Sequence, residues 1–150
     1  MKSIYDRASF NISRQVTNAY STSFSMGIHV LNKSIHEPIY GIYGFVRLAD
    51  EIVDTFHEYD KKGLLDEFRA DTYKAIERKI SLNPVLQAFQ MTVNEFKIER
   101  ELIDSFLHSM EMDLEQKEHD QASFEKYILG SAEVVGLMCL RVFCQGNEEQ

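Results

Sequence analysis

Apolar residues recur at three- and four-residue spacing along nearly the whole chain of 150 residues, the period of amphipathic helices rather than of strands. The pattern predicts a first helix over about Ile4–Tyr20. The run Ser21–Ser25 then breaks or bends the chain before a short helix ending near Leu31. Ser34 can cap the next helix, with Glu37 three residues on and Pro38 in its first turn. That helix is expected to reach about His57. A polar helix follows over Lys61–Ile80. Asn83-Pro84 is a cap followed by proline at the first helical position. It opens a helix to about Glu95, and another covers Glu99–Lys117. Ser123 is expected to cap a last helix that stops near Gly146-Asn147. This gives an all-α, seven-helix bundle forming one domain over residues 1–150.

Composition supports that picture. Apolar residues make up 44% of the chain and aromatics 11%, enough for a packed core. The 7 Gly and 2 Pro are too few for an all-β or Pro-rich chain. The net charge is −8, and neither half of the chain offers the basic field that nucleic acid requires. An anionic substrate would be repelled by such a surface, and a divalent cation held by carboxylates is the usual remedy. Cys139 and Cys144 lack zinc-site spacing and are expected to be two packed core thiols in a reducing compartment. The start, MKSIYDRASF, has no apolar signal region. Gln15–Asn32 lacks charge but is too polar to span a membrane. The expectation is a cytoplasmic protein, with a peripheral membrane contact and self-association through exposed core surface left open.

The most informative stretch is Ile39–Phe56 (IYGIYGFVRLADEIVDTF). At about 100° per residue, Tyr43, Asp54, Arg47 and Tyr40 fall within about 80° of Asp50, while Ile42, Phe45, Leu48, Ala49, Ile52, Val53 and Phe56 occupy the other side. Asp50 and Asp54 are four apart and stack on adjacent turns, where like charges cost an isolated helix about 0.2–0.5 kcal/mol. Mg²⁺ reverses the sign of that interaction, because hard cations take carboxylate oxygen and keep positions for a phosphate partner. Arg47 can offset the pair or reach phosphate oxygens. A solvated face with an ordinary Arg47–Glu51 pair explains the acids equally well. The two tyrosines beside them fit the rim of a cavity better.

Other constellations are weaker. A di-iron bundle needs two Glu-x-x-His motifs, and Asp54-x-x-His57 is a lone near match. No P-loop, GxGxxG, GxSxG or HExxH occurs. The last helix carries Gly130, Ser131, Ala132 and Gly136, which serve either close helix packing or a channel for a long apolar ligand. Tyr127 and Ser131 share its face with Val134 and Met138. Glu111 and Glu115 form a second acidic pair on an amphipathic helix.

Four of these segments, in order, resemble the phytoene/squalene synthase family of head-to-head prenyl synthases. Ser21-Thr-Ser23-Phe24-Ser25 is similar to its early Ser-Phe element. Tyr43-Gly-Phe-Val-Arg47-Leu-Ala-Asp50-Glu-Ile-Val-Asp54 resembles its first aspartate-rich motif. Met110-Glu-Met112-Asp113-Leu114 resembles the MxMDL element of the phytoene synthases. Tyr127-Ile-Leu-Gly-Ser131-Ala132-Glu133-Val-Val135-Gly136-Leu resembles the family's Tyr-x-x-x-Val-Ala-Gly-x-Val-Gly segment, with Ser131 and Glu133 departing from it.

The resemblance implies an isoprenoid-synthase-type helical bundle and a transferase that joins two prenyl diphosphates through a cyclopropyl diphosphate. It implies Mg²⁺ on Asp50 and Asp54, phosphate on Arg47, and Tyr43 and Tyr127 beside the reacting carbons. Ser23, Phe24, Ala132, Val135 and Gly136 would line the substrate site, with Asp113 a less certain member. Family enzymes are nearly twice as long and carry a second Asp-x-x-x-Asp, which does not occur after Asp54. The chain is therefore expected to be inactive alone. Geranylgeranyl diphosphate to phytoene is the favoured reaction. A squalene or dehydrosqualene synthase using farnesyl diphosphate, with or without NADPH, and a non-catalytic helical module are the alternatives.

Overall fold

The computed structural model describes residues 1–20, 35–115 and 121–148, with the side chains of 115, 121–130 and 145–148 outside that description. The described residues form six helices in the order α1 (Lys2–Tyr20), α2 (His36–Asp54), α3 (Lys61–Arg78), α4 (Pro84–Phe96), α5 (Arg100–Glu115) and α6 (Gln121–Glu148). The all-α expectation holds. The seventh helix, expected before Leu31, lies outside the described residues, as does the proposed cap Ser34.

The helix ends follow local chemistry, and some differ from the pattern. Asn83 caps α4 as expected, its side chain accepting from the backbone N–H groups of Val85 and Leu86, with Pro84 opening the helix. Asp60 caps α3 by accepting from the Gly63 N–H at 3.0 Å. The residue before α2 is Ile35, which makes no side-chain cap bond. That helix ends at Asp54 rather than near His57, where Lys61 Nζ turns back onto the Val53 carbonyl. α6 starts at Gln121, so Ser123 lies inside its first turn instead of capping it, and the helix continues through Gly146. α3 and α4 end on Lys79 and Lys97, which hold the left-handed conformation at φ 60° and 54°, a position that usually falls to Gly or Asn.

α2 is the central element and packs against all five other helices. Two glycines let its neighbours approach. A Cβ on Gly44 would lie 2.8 Å from the Ser13 Cβ of α1, and one on Gly41 would lie 2.7 Å from Thr92 Oγ1 and 3.1 Å from the Ala88 carbonyl oxygen of α4. Small hydroxyl residues can be buried along these contacts because they bond back to their own helix: Ser9 to the Tyr5 carbonyl at 2.8 Å and Thr17 to that of Ser13 at 2.9 Å. On the other side Phe45 stacks on Phe89 with centroids 3.8 Å apart and on Phe68 at 5.2 Å, with Phe106 tilted at 5.6 Å. Ile42, Phe45, Phe89 and Leu107 are fully buried there. Two long-range ion pairs tie the far helices: Arg69 of α3 to Glu111 of α5 at 3.0 Å, and Arg141 of α6 to Glu99 at 2.6 Å. Glu111 is thus engaged rather than part of a free acidic face. Among the described residues, no helix is long and apolar enough to cross a membrane.

Candidate functional site

The aromatic core fixes α2, and α2 turns a second side toward α5 and α6. There a hollow of about 270 Å³ opens between the three helices. Tyr43, Val46 and Asp50 line it from α2, Phe106 from α5, and Ser131, Ala132 and Val135 from α6. The walls are largely apolar, and one carboxylate faces in, a composition common in small-molecule sites.

Burial raises Asp50 to about 6, with the carboxylates of Asp54, Asp113 and Glu51 adding to the rise and Arg47 opposing it. Asp54, exposed one turn further on, is also raised, first by burial and next by Asp113. Asp113 therefore faces the α2 acid pair from α5. The Arg47 guanidinium binds Glu51, stands 3.5 Å from Asp50, and lies over the Tyr20 ring at 4.3 Å. Its Nε is buried and has no hydrogen-bond partner among the described residues. The i,i+4 pair allowed by the sequence is thus real, and it leaves Arg47 beside the aspartates rather than turned away from them.

Tyr43 is half-buried, and the Cys139 thiol of α6 lies near enough to influence its hydroxyl. Burial lifts the phenol above its ordinary range and pushes the Cys139 thiol up to about 12. Both groups are neutral at physiological pH.

The structure brings Tyr43, Asp50, Ala132 and Val135 to one hollow and holds Arg47 and Asp54 close by. Among the described residues, Gly136 is exposed, is not part of the lining, and has no neighbour within 4 Å of where a Cβ would stand. Ser23 and Phe24 lie outside the described residues. Tyr127 lies on α6, with its side chain outside the description. Two expectations need correction. Tyr40 does not rim the cavity: it is 3% exposed, with Arg14 of α1 over its ring. Cys144 is exposed, so only Cys139 is a core thiol. The helical pattern overlooked Val46, Phe106 and Cys139. Val46 sits at the edge of the polar arc, three residues after Tyr43 and four before Asp50. Nothing local marks Phe106 or Cys139, which reach the site from other helices.

Two aspartates one turn apart, faced by a third, form a hard oxygen donor set of the kind that suits Mg²⁺. Burial is the first cause of the rise at both α2 carboxylates and the neighbouring acids add to it; a bound divalent cation would favour their charged forms. Among the described residues no group of three or more His, Cys, Asp or Glu is arranged to hold a metal by itself. These acids fit one side of a metal site whose other oxygens come from water or a phosphorylated ligand.

Comparison with known proteins agrees in direction. The family model described as squalene/phytoene synthase matches residues 17–150. The chain is 31% identical over 134 residues to a presqualene diphosphate synthase of Zymomonas mobilis, covering 85% of this chain and 45% of that protein. It is 27% identical over 128 residues to that of Rhodopseudomonas palustris, covering 83% and 45%. It is 28% identical over 139 residues to a phytoene synthase of Rhodobacter capsulatus, covering 89% and 40%. The chain thus spans less than half the length of these relatives. A squalene synthase from Alicyclobacillus acidocaldarius superposes with a TM-score of 0.80 at 22% identity, over 93% of this chain and 53% of that one. A dehydrosqualene synthase gives 0.77 at 22%, over 91% and 48%. The helical bundle is the one these synthases share.

Proposed function

The chain belongs to the squalene/phytoene synthase family, and we propose that it carries the Mg²⁺–diphosphate side of a site that condenses two prenyl diphosphates head to head. The observation that supports this most is the placement of Asp50. It stands at the wall of an apolar hollow, one turn from Asp54 and faced by Asp113. A prenyl diphosphate has an apolar tail and a polyanionic head, and this hollow offers the two ends opposite environments.

In this reading Asp50 and Asp54 would hold Mg²⁺, with the charge of Asp113 adding to their field from α5. The ion supplies charge neutralisation to the departing diphosphate. Arg47, pinned by Glu51 and Tyr20, presents a preoriented guanidinium edge to phosphate oxygen. Tyr43 and Tyr127 border the reacting carbons, where a neutral phenol stabilises positive charge through its ring or oxygen. Val46, Phe106, Ala132 and Val135 keep water from the chain, with Ser23, Phe24 and Gly136 completing the substrate site as the family resemblance implies.

Met110-Glu-Met112-Asp113-Leu114 favours geranylgeranyl diphosphate and phytoene. The relatives named presqualene diphosphate synthase support a second reading, with farnesyl diphosphate as substrate. Affinities for non-hydrolysable farnesyl and geranylgeranyl thiodiphosphates, measured with Mg²⁺, test both. Tighter binding of the C20 compound is the expected outcome, tighter binding of the C15 compound selects the second reading, and no binding of either overturns the function.

A further inference from the structure

Arg47 is held on two sides. Its Nη2 binds Glu51 one turn ahead on α2. Its Cζ lies over the ring of Tyr20, the last residue of α1, 4.3 Å from the centroid. Its Nη1 stands 3.5 Å from Asp50, longer than the distance of about 2.7–2.9 Å that a charged hydrogen bond takes. We propose that Tyr20 is a positioning residue: its ring, laid against the Arg47 guanidinium, holds that group off Asp50 and keeps an N–H edge open for a diphosphate. The contact is read from geometry alone, and its purpose rests on the Mg²⁺–diphosphate reading.

Glu51 alone cannot do this. A single bond at Nη2 is a pivot, about which the guanidinium can swing toward Asp50. A full bond there would satisfy Arg47 and occupy a carboxylate that the metal needs. A ring against one face of the guanidinium blocks the swing. It also leaves all of the N–H donors unoccupied, because the attraction of a cation to a ring acts on the guanidinium's face and not on its edge. A further carboxylate in the same place would take Arg47 by its edge and add negative charge beside the acid pair. Tyr20 is 53% exposed, so its ring is no part of the apolar core. α1 is seated on α2 where Ser13 meets Gly44, and so brings the ring to Arg47 from a fixed side.

Two measurements on the full chain test this. The first needs no ligand. The Arg47 Nε–H, bonded to the Cζ that lies over the ring, should resonate upfield of the ordinary arginine Nε–H range in a proton–nitrogen NMR spectrum. Its loss in Arg47→Lys assigns the signal. Tyr20→Leu should move it downfield, and Tyr20→Phe, which keeps the ring, should leave it shielded. A signal that Tyr20→Leu leaves in place overturns the contact. The second measurement reads the purpose, by calorimetry with inorganic pyrophosphate. In Tyr20→Leu the Mg²⁺ concentration for half-maximal binding should rise about two- to fivefold, the range of an exposed cation–ring contact. Tyr20→Phe should restore the wild-type requirement, and the thermal midpoint should be unchanged in both. An unchanged Mg²⁺ requirement overturns the role, and so does a loss matched by a fall in thermal midpoint, which would make the ring structural. A Tyr20→Phe that falls as far as Tyr20→Leu also overturns it, since the hydroxyl and not the ring would then hold Arg47. A wild-type chain that binds no pyrophosphate at any Mg²⁺ concentration overturns the diphosphate reading and this purpose with it, while the NMR signal still decides the contact.

Discussion

The position of the acid pair depends on how closely α1 and α4 seat against α2, and Gly44→Ala perturbs that contact directly. The new Cβ would stand 2.8 Å from Ser13 Cβ, 2.9 Å from Ser13 Oγ and 3.1 Å from Ser13 Cα. The last of these belongs to backbone, which cannot rotate away. Overpacking of this kind costs about 2–3 kcal/mol. Alanine returns about 1 kcal/mol through helix propensity. The net destabilisation should be about 1–2 kcal/mol, or roughly 5 °C in Tm for a chain of this size. Gly136→Ala is the matched control, because none of the described residues lies within 4 Å of its Cβ position. There the propensity gain of up to about 1 kcal/mol should appear unopposed. Urea unfolding followed by far-ultraviolet circular dichroism measures both variants. If Gly44→Ala stabilises the chain as much as Gly136→Ala does, the close α1–α2 contact and the platform built on it are refuted.

Other outcomes follow from single residues. Phe45→Ala removes the ring stacked between Phe89 and Phe68 and should cost about 3–5 kcal/mol in urea unfolding; a loss below 1 kcal/mol would show that this stack is not the core. Asn83→Ala frees two backbone N–H groups and should cost about 1 kcal/mol by the same measurement; no change would mean that water replaces the cap. Arg141 holds the Glu99 carboxyl below its ordinary range, so the pair stabilises the fold above Glu99's unfolded value and the contribution is lost as pH falls through the lowered one. In acid titrations of stability, Arg141→Gln should flatten that dependence, and the difference from wild type should shrink at high salt, since both side chains are more than a third exposed.

The sequence carried the helix types and the chemistry of α2, because both are local. Periodicity marked the helices, and Asn83-Pro84 marked a start that the structure keeps. Tyr40 shows where a helical wheel fails. The wheel assigns it to the polar arc, yet α1 also packs on that side of α2, and Arg14 of α1 covers that tyrosine. Periodicity describes a helix and its own faces; it holds no information about how many neighbours close over it. The same limit hid Phe106, Cys139 and the Arg69–Glu111 and Arg141–Glu99 pairs, whose partners are distant in sequence. The helix ends at Lys79 and Lys97 were unreadable for a different reason: a lysine seldom takes the left-handed conformation, and the bonds that close these ends, from the Lys79 and Lys97 N–H groups to the Ala75 and Val93 carbonyls, are backbone bonds that no residue type marks.

The central claim is that Asp50 and Asp54 present a divalent cation to a diphosphate beside an apolar hollow. Calorimetric titration of the chain with inorganic pyrophosphate, with and without Mg²⁺, tests it most directly. Binding should require Mg²⁺ and should weaken at least about tenfold in Asp50→Asn and in Asp54→Asn, with helical content unchanged. Binding that proceeds equally without the metal, or that survives both substitutions, would contradict the account.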